Sequence, residues 1–365
     1  MTKQLSRRAV LSSAAVALVA APYVRQARAA VDDGMIGEML VLGFSGAASD
    51  AAGAQGLAAH VSNGKVGGVC FLGHNARSRA GAESLARLFN AAGRRSKALV
   101  AIDQEGGAVQ RLGAKIGYRA IPAAQAVAAR NAPDAAKAIY AQMARDMKAA
   151  GFNLNLAPVV DLGFEPRNPI VAHYGRAFGE DGATVASYAG AFVAGHREAG
   201  VLTALKHFPG HGSTLTDSHE RPVDLTATWR EDEIEPYRKL AQNGLVDVVM
   251  SGHLKHDRFT AGEPATLSNR AIEGWLRREI GYRGAVMTDD LDMAAIRSNY
   301  ALPDAIVRAV AAGNDLILLS NSLDPDPDLP LAAIAAIRDG VMKGRIPAAR
   351  IEAAAQRIAA LKARV

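Results

Sequence analysis

The sequence has little of several things that would settle its class at once. It holds one cysteine, Cys70, in 365 residues, so no intrachain disulfide can form and no cysteine pair is available for a metal or redox site. Aromatic residues make up 5%, with two tryptophans. No His-Glu-x-x-His motif, internal repeat, low-complexity tract or Ser/Gly-rich linker divides the chain, and 35 glycines and 15 prolines occur without a period, which excludes collagen. Hydrophobic residues at 49% and charged residues at 21% match ordinary globular usage and exclude general disorder.

Acidic residues are absent from positions 1–29, which carry Lys3, Arg7, Arg8, Arg25 and Arg28. The net charge of +6 therefore belongs mostly to this leader, since the remainder holds 37 basic against 36 acidic residues. A nucleic-acid partner loses its main support. Ser6-Arg7-Arg8-Ala9-Val10-Leu11 places a twin arginine before the apolar stretch Ala9–Ala21, and Ala27-Arg28-Ala29 supplies a small-x-small cleavage site. These features predict a twin-arginine export signal over 1–29, cleaved after Ala29. The stretch is shorter than the ~20 residues of a bilayer span, so no stable membrane insertion is expected. The protein is then periplasmic, or cytoplasmic if the leader does not function. Residues 30–365 read as one domain.

Past the leader, apolar runs alternate with helical patterns. The runs are Met39–Phe44, Gly68–Leu72, Leu99–Asp103, Asn153–Pro158, Leu202–Lys206, Asp247–Ser251, Ala285–Thr288 and Asp315–Leu319. Segments such as Ala82–Ala92, Asp134–Ala149 and Thr184–Ala199 carry apolar residues at helical spacing. Runs apolar on both faces suit a parallel sheet covered by helices. Eight of them over this length predict an α/β fold, a single (β/α)₈ TIM-type barrel, with a doubly wound open sheet as the alternative. Polar residues follow the runs: Asp103, Lys206-His207, His253 and Asp289. In barrels of this kind those strand ends build the active site.

The densest cluster is Lys206-His207-Phe208-Pro209-Gly210-His211-Gly212, followed by Asp217-Ser218-His219. Its glycines and proline predict a tightly turned loop. Asp217, two residues before His219, can orient that imidazole and favour its protonated form, which makes a proton donor. His207, His211, His219 and Asp217 could instead hold a metal, but the first strand end, Gly43-Phe44-Ser45-Gly46, lacks the His-x-His of metal-dependent barrel hydrolases. No metal or cofactor is expected. In Thr288-Asp289-Asp290-Leu291-Asp292, Asp289 is placed to attack an electrophilic carbon, while Asp290 and Asp292 suit a helix start. In Asp103-Gln104-Glu105-Gly106-Gly107 with Arg111, Asp103 could bind hydroxyls. Arg111 could lie against the same ligand or pair with Asp103. Asn168-Pro169 and Tyr174–Asp181 form a long loop carrying Arg176, with Glu180 and Asp181 opening the next helix.

Together these motifs resemble glycoside hydrolase family 3, in its bacterial β-N-acetylglucosaminidase branch. The resemblance rests on Lys-His-Phe-Pro-Gly-His-Gly at 206–212 and Asp-Ser-His at 217–219. Asp-x-Glu-Gly-Gly, Ala-Pro-Val-x-Asp at 157–161, Arg-x-Phe-Gly at 176–179 and Thr-Asp at 288–289 accompany them. It implies a retaining hydrolysis in which Asp289 is the nucleophile and His219, held by Asp217, is the acid and base. It also implies that Asp103, Arg111, Arg176, Lys206 and His207 bind the sugar hydroxyls, with His253 and Asp161 lining or supporting the site. The substrates it implies are GlcNAc-1,6-anhydro-MurNAc muropeptides of peptidoglycan recycling, chitooligosaccharides or other GlcNAc-capped glycans. A family 3 phosphorylase, a metal-dependent hydrolase and a non-catalytic sugar-binding protein are the other readings. The sequence ends soon after the helix pattern Pro347–Ala363, so the barrel alone is expected to carry the dyad loop. It carries no signal for an oligomeric state.

Overall fold

All eight expected strands are present. The computed structural model describes residues 31–93, 96–218, 220–322 and 324–365; the leader lies outside the described residues. The strands are β1 (Leu40–Leu42), β2 (Gly68–Phe71), β3 (Leu99–Ile102), β4 (Leu154–Asn155), β5 (Leu202–Phe208), β6 (Val248–Ser251), β7 (Ala285–Thr288) and β8 (Ile317–Leu319). They form one parallel sheet in the order β7-β6-β5-β4-β3-β2-β1-β8. A bridge between Met287 and Leu316 and the bond from Thr288 N to Leu316 O at 2.9 Å bring β7 against β8. The open-sheet alternative is thereby excluded, and the fold is a (β/α)₈ barrel.

Every residue of these strands is buried, which is why they read as continuous apolar runs rather than alternating ones. Helices supply the outer layer. Arg79–Ala92 starts where the Ser78 hydroxyl accepts Gly81 N–H at 3.1 Å, and Gly182–Glu198 starts where Asp181 accepts from Ala183 and Thr184. Phe44, Phe71, Phe89 and Phe152 pack edge-on or tilted between the layers, with ring centres 4.8–6.0 Å apart. Pro347 is the N-cap of the final helix, Ala348–Lys362, rather than its first helical residue.

Two strands depart from their expected spans. β4 is shorter, but its neighbours still pair with the chain beyond it: Leu156 N donates to Ile102 O, the Ala157 and Pro158 carbonyls accept from Ala204 and Lys206 N, and Val159 bridges Lys206. β5 is longer by His207 and Phe208, and Lys206, His207 and Phe208 are all buried. The His207 side chain is thus inside the barrel end rather than on the loop beyond it. No helix among the described residues is long and apolar enough to cross a membrane.

At the N-terminal ends of the strands, charged side chains close the barrel. Asp315, just before β8, accepts from Arg277, Arg350 and Arg357. Asp247, just before β6, accepts from Arg197, Arg364 and the Thr203 hydroxyl. Lys362 reaches Glu38 and the Gly67 carbonyl. The C-terminal helix is thereby tied to three separate parts of the barrel floor.

Candidate active site

The opposite end collects the chemistry. Asp103 directly follows β3, and the next residues form a small hairpin, Gln104–Gly106 against Val109–Gln110. Gly106 and Gly107 take φ of +107° and +61°, which only glycine adopts without strain. This turn carries Glu105 and Arg111 back over the barrel mouth.

Lys206 Nζ lies 2.8 Å from Asp103 and 2.9 Å from Glu105. Arg176 meets Glu105 in a two-pronged pair, both contacts at 2.8 Å, and Arg111 is 3.7 Å from Asp103. Three cations and two carboxylates thus run in an unbroken line, Arg111–Asp103–Lys206–Glu105–Arg176. Burial works against the charges of Glu105, Arg176 and Lys206, and the pairing overrides it. Arg176 and Lys206 hold the Glu105 carboxyl well below the usual range, and Asp103 and Glu105 hold the Lys206 ammonium above its ordinary value. Glu105, Lys206 and Arg176 are charged at neutral pH, in a line suited to gripping neighbouring hydroxyls.

Beside it, Asp161 is fully buried and accepts from His207 Nδ1 at 2.7 Å, His207 N at 3.0 Å and His211 N at 2.8 Å. Burial would raise the Asp161 carboxyl, but His207 holds it below its ordinary value. The same bond orients the His207 ring, leaving Nε2 as its outward atom. His211 behaves oppositely: burial, with His207 beside it, pushes it down to about 3, so it is neutral.

Asp289 follows β7, its backbone N bonded to Ser251 O at 2.9 Å and its carboxylate accepting from Asp290 N at 2.8 Å. His253 is buried, with one ring nitrogen 2.8 Å from Thr266 Oγ1 and the other 2.8 Å from the Asp290 carbonyl. It braces the backbone next to Asp289. Asp290 and Asp292 do not open a helix. Asp290 accepts from Asp292 N and Ser320 N, and Asp292 from Asn321 N, so they pin the loop after β8 to that after β7. Burial raises the Asp290 carboxyl to about 6. The Cys70 thiol on β2, raised by burial, also responds to Asp103, Asp290, Arg111 and Lys206. Groups that follow or end β3, β5 and β7 therefore lie at the same end of the barrel.

Asp217 and Ser218 lie on the loop after β5, where the Asp217 carbonyl accepts from Glu220 and Arg221 N. His219 lies outside the described residues. Among the described residues no cluster of three or more His, Cys, Asp or Glu could hold a metal ion. The sequence reading gave no role to Glu105, Asn168 or Glu233. Glu105 carried a signal in the Asp-x-Glu-Gly-Gly motif, and Asn168 in its Asn-Pro step; Glu233 is hidden in the acidic run Glu231-Asp232-Glu233.

The model of the glycosyl hydrolase family 3 N-terminal domain matches residues 32–361. The chain belongs to glycosyl hydrolase family 3. It is 35% identical over 275 residues to beta-hexosaminidase LpqI of Mycobacterium tuberculosis, covering 72% of this chain and 67% of that protein. It is 37% identical over 263 residues to a beta-hexosaminidase of Stenotrophomonas maltophilia, covering 70% and 76%. Among solved structures, a family 3 beta-N-acetylglucosaminidase from Paenibacillus superposes with a TM-score of 0.81 at 33% identity. That alignment covers 91% of this chain but spans only 62% of the Paenibacillus chain. Family 3 members thus share this barrel with and without additional sequence.

Proposed function

We propose that this family 3 chain is a retaining, exo-acting β-N-acetylglucosaminidase that removes terminal non-reducing β-linked GlcNAc. The observation that carries the reading is the charged line from Arg111 to Arg176 at the same barrel end as Asp289. Such a line presents alternating donors and acceptors to the hydroxyls of one sugar, beside a carboxylate able to attack it.

In the first step an Asp289 oxygen forms a bond to the anomeric carbon as the bond to the leaving oxygen breaks, and His219, oriented by Asp217, gives that oxygen its proton. In the second, His219 takes a proton from water, whose oxygen displaces Asp289 with net retention. Asp103, Arg111, Arg176, Lys206 and His207 hold the sugar, and His253 supports the Asp289 backbone. Muropeptides or chitooligosaccharides supply the GlcNAc, and the twin-arginine leader directs the enzyme to the periplasm.

The test compares 4-nitrophenyl β-N-acetylglucosaminide with the β-glucoside, for the wild-type protein and Asp289→Ala, with EDTA and inorganic phosphate arms. Selective cleavage of the acetamido sugar is expected, indifferent to EDTA and yielding free GlcNAc. The Asp289→Ala rate should fall by about 10³-fold or more, roughly 4 kcal/mol of barrier at 1.36 kcal/mol per decade. Full activity in Asp289→Ala, or GlcNAc-1-phosphate as the product with phosphate, would overturn the assignment.

A further inference from the structure

Glu233 is a buried acid that the chemistry above does not use. It lies in the tight turn Glu231–Ile234 that leads into helix Glu235–Gln242, and none of its surface is exposed. One carboxylate oxygen, Oε2, accepts the Gly212 N–H at 2.7 Å. The other, Oε1, is buried, and the Ser213 hydroxyl and the Arg230 N–H also interact with the carboxylate; Tyr237 Oη and His211 Nδ1 are buried without a hydrogen-bond partner among the described residues. Glu233 and Tyr237, one helical turn apart, thus lie behind the loop after β5, where Glu233 acts on the Tyr237 hydroxyl.

The loop is built to meet this carboxylate. Gly210 has φ of +124°, and a Cβ there would stand 2.6 Å from Glu233 Cβ. A Cβ on Gly212 would stand 2.1 Å from the Leu162 carbonyl. Both positions need glycine for the backbone to come this close. Asn168 Nδ2 holds the His211 and Gly212 carbonyls from the other side, at 2.8 and 3.0 Å. His211 Nε2 then lies 3.1 Å from Ser218 Oγ, beside Asp217. The chain between Gly212 and Asp217 is thus fixed at its root by Glu233 and Asn168, and at its far end through His211.

A carboxyl is a costly choice for a merely structural peg. Burial, with the anionic Asp161 nearby, pushes Glu233 up to about 7 against the Ser213 hydroxyl and the Gly212 and Arg230 N–H groups. We infer that Glu233 is a positioning residue for the reaction: by holding Gly212 it sets the path of the loop that presents the Asp217-Ser218-His219 segment. The inference rests on the proposed role of that segment as the proton donor.

If that role is right, loosening the loop withdraws proton donation and leaves nucleophilic attack intact. The signature is a dependence on the leaving group, which a general loss of fold would not produce. The experiment measures kcat/KM for aryl β-N-acetylglucosaminides of increasing phenol pKa with wild type, Glu233→Ala, Glu233→Asp and Glu233→Gln. Glu233→Ala should lose little on the most acidic phenol and about 10–100-fold on the least acidic, within the ~10²–10⁴ that a proton donor supplies. Glu233→Asp, which shortens the reach by one methylene, should show the same pattern if Glu233→Ala fails to fold. Glu233→Gln keeps an acceptor for Gly212 and should recover most of the loss. An equal loss on every substrate, no loss, or no recovery in Glu233→Gln would overturn the role. Absence of turnover in the wild type would instead overturn the proposed function.

Discussion

The two ends of this barrel use the same kinds of residue for different ends. At the floor, Asp247 and Asp315 have no exposed side-chain surface and each receives two or more arginines. At the mouth, Asp103 keeps 18% of its side-chain surface and Arg111 keeps 33%. Glu105 shares Arg176 and Lys206, and Lys206 is itself shared with Asp103. A saturated carboxylate has nothing left to offer a ligand, whereas a partly exposed, shared one can exchange a contact for a sugar hydroxyl. Floor charges hold the final helix, Ala348–Lys362, to the strands; mouth charges hold a shape that a substrate can enter. Charge pairing alone therefore does not mark a site. Residual exposure and the strand end do.

The largest test of this contrast is Asp315→Ala. It strands Arg277, Arg350 and Arg357 at the floor, and removing one partner of a buried pair costs about 3–5 kcal/mol. A fall in melting temperature of about 6–20 °C is expected, at roughly 2–4 °C per kcal/mol for a chain this size; an unchanged melting point would break the comparison. Next comes Arg176→Lys at the mouth, which forfeits the two-pronged grip on Glu105. It should lower kcat/KM by about 10–100-fold, as an effect of about 1.4 kcal/mol per decade, with far less thermal loss than Asp315→Ala. A melting shift as large as that of the floor variant would make the mouth structural too. The smallest effect is that of pH. The Glu105 carboxyl is held below its ordinary value of 4.5, so its contribution is full above that value and is lost as the pH falls below it. Melting between pH 7 and pH 3 should therefore fall more steeply in wild type than in Glu105→Gln; parallel curves would show that the pairing adds nothing to stability.

Much of the barrel was legible because its signal is local. Each strand is a short apolar run, such as Leu99–Ile102 or Ala285–Thr288, and each polar site residue stands at the end of one. The glycines of the 106–107 turn and the Asp181 cap were legible for the same reason. What was misread depended on partners far away in sequence. Asp290 and Asp292 look like helix starters, yet they bind backbone N–H groups of Ser320 and Asn321. His207 looks like a loop residue, yet it is a strand residue, because Asp161 receives its Nδ1 inside the barrel mouth.

The sequence by itself determined the strand count and the set of polar residues gathered at the strand ends. Those properties follow from periodicity and from residue type, which a linear chain displays openly. Only the tertiary structure decided that the sheet closes, that Glu105 rather than Asp103 grips Arg176 71 residues away, and that Glu233 reaches under the loop at Gly212. Ion pairs and buried hydrogen bonds are set by which strand ends meet once the barrel shuts, and that distance is not written in any local pattern.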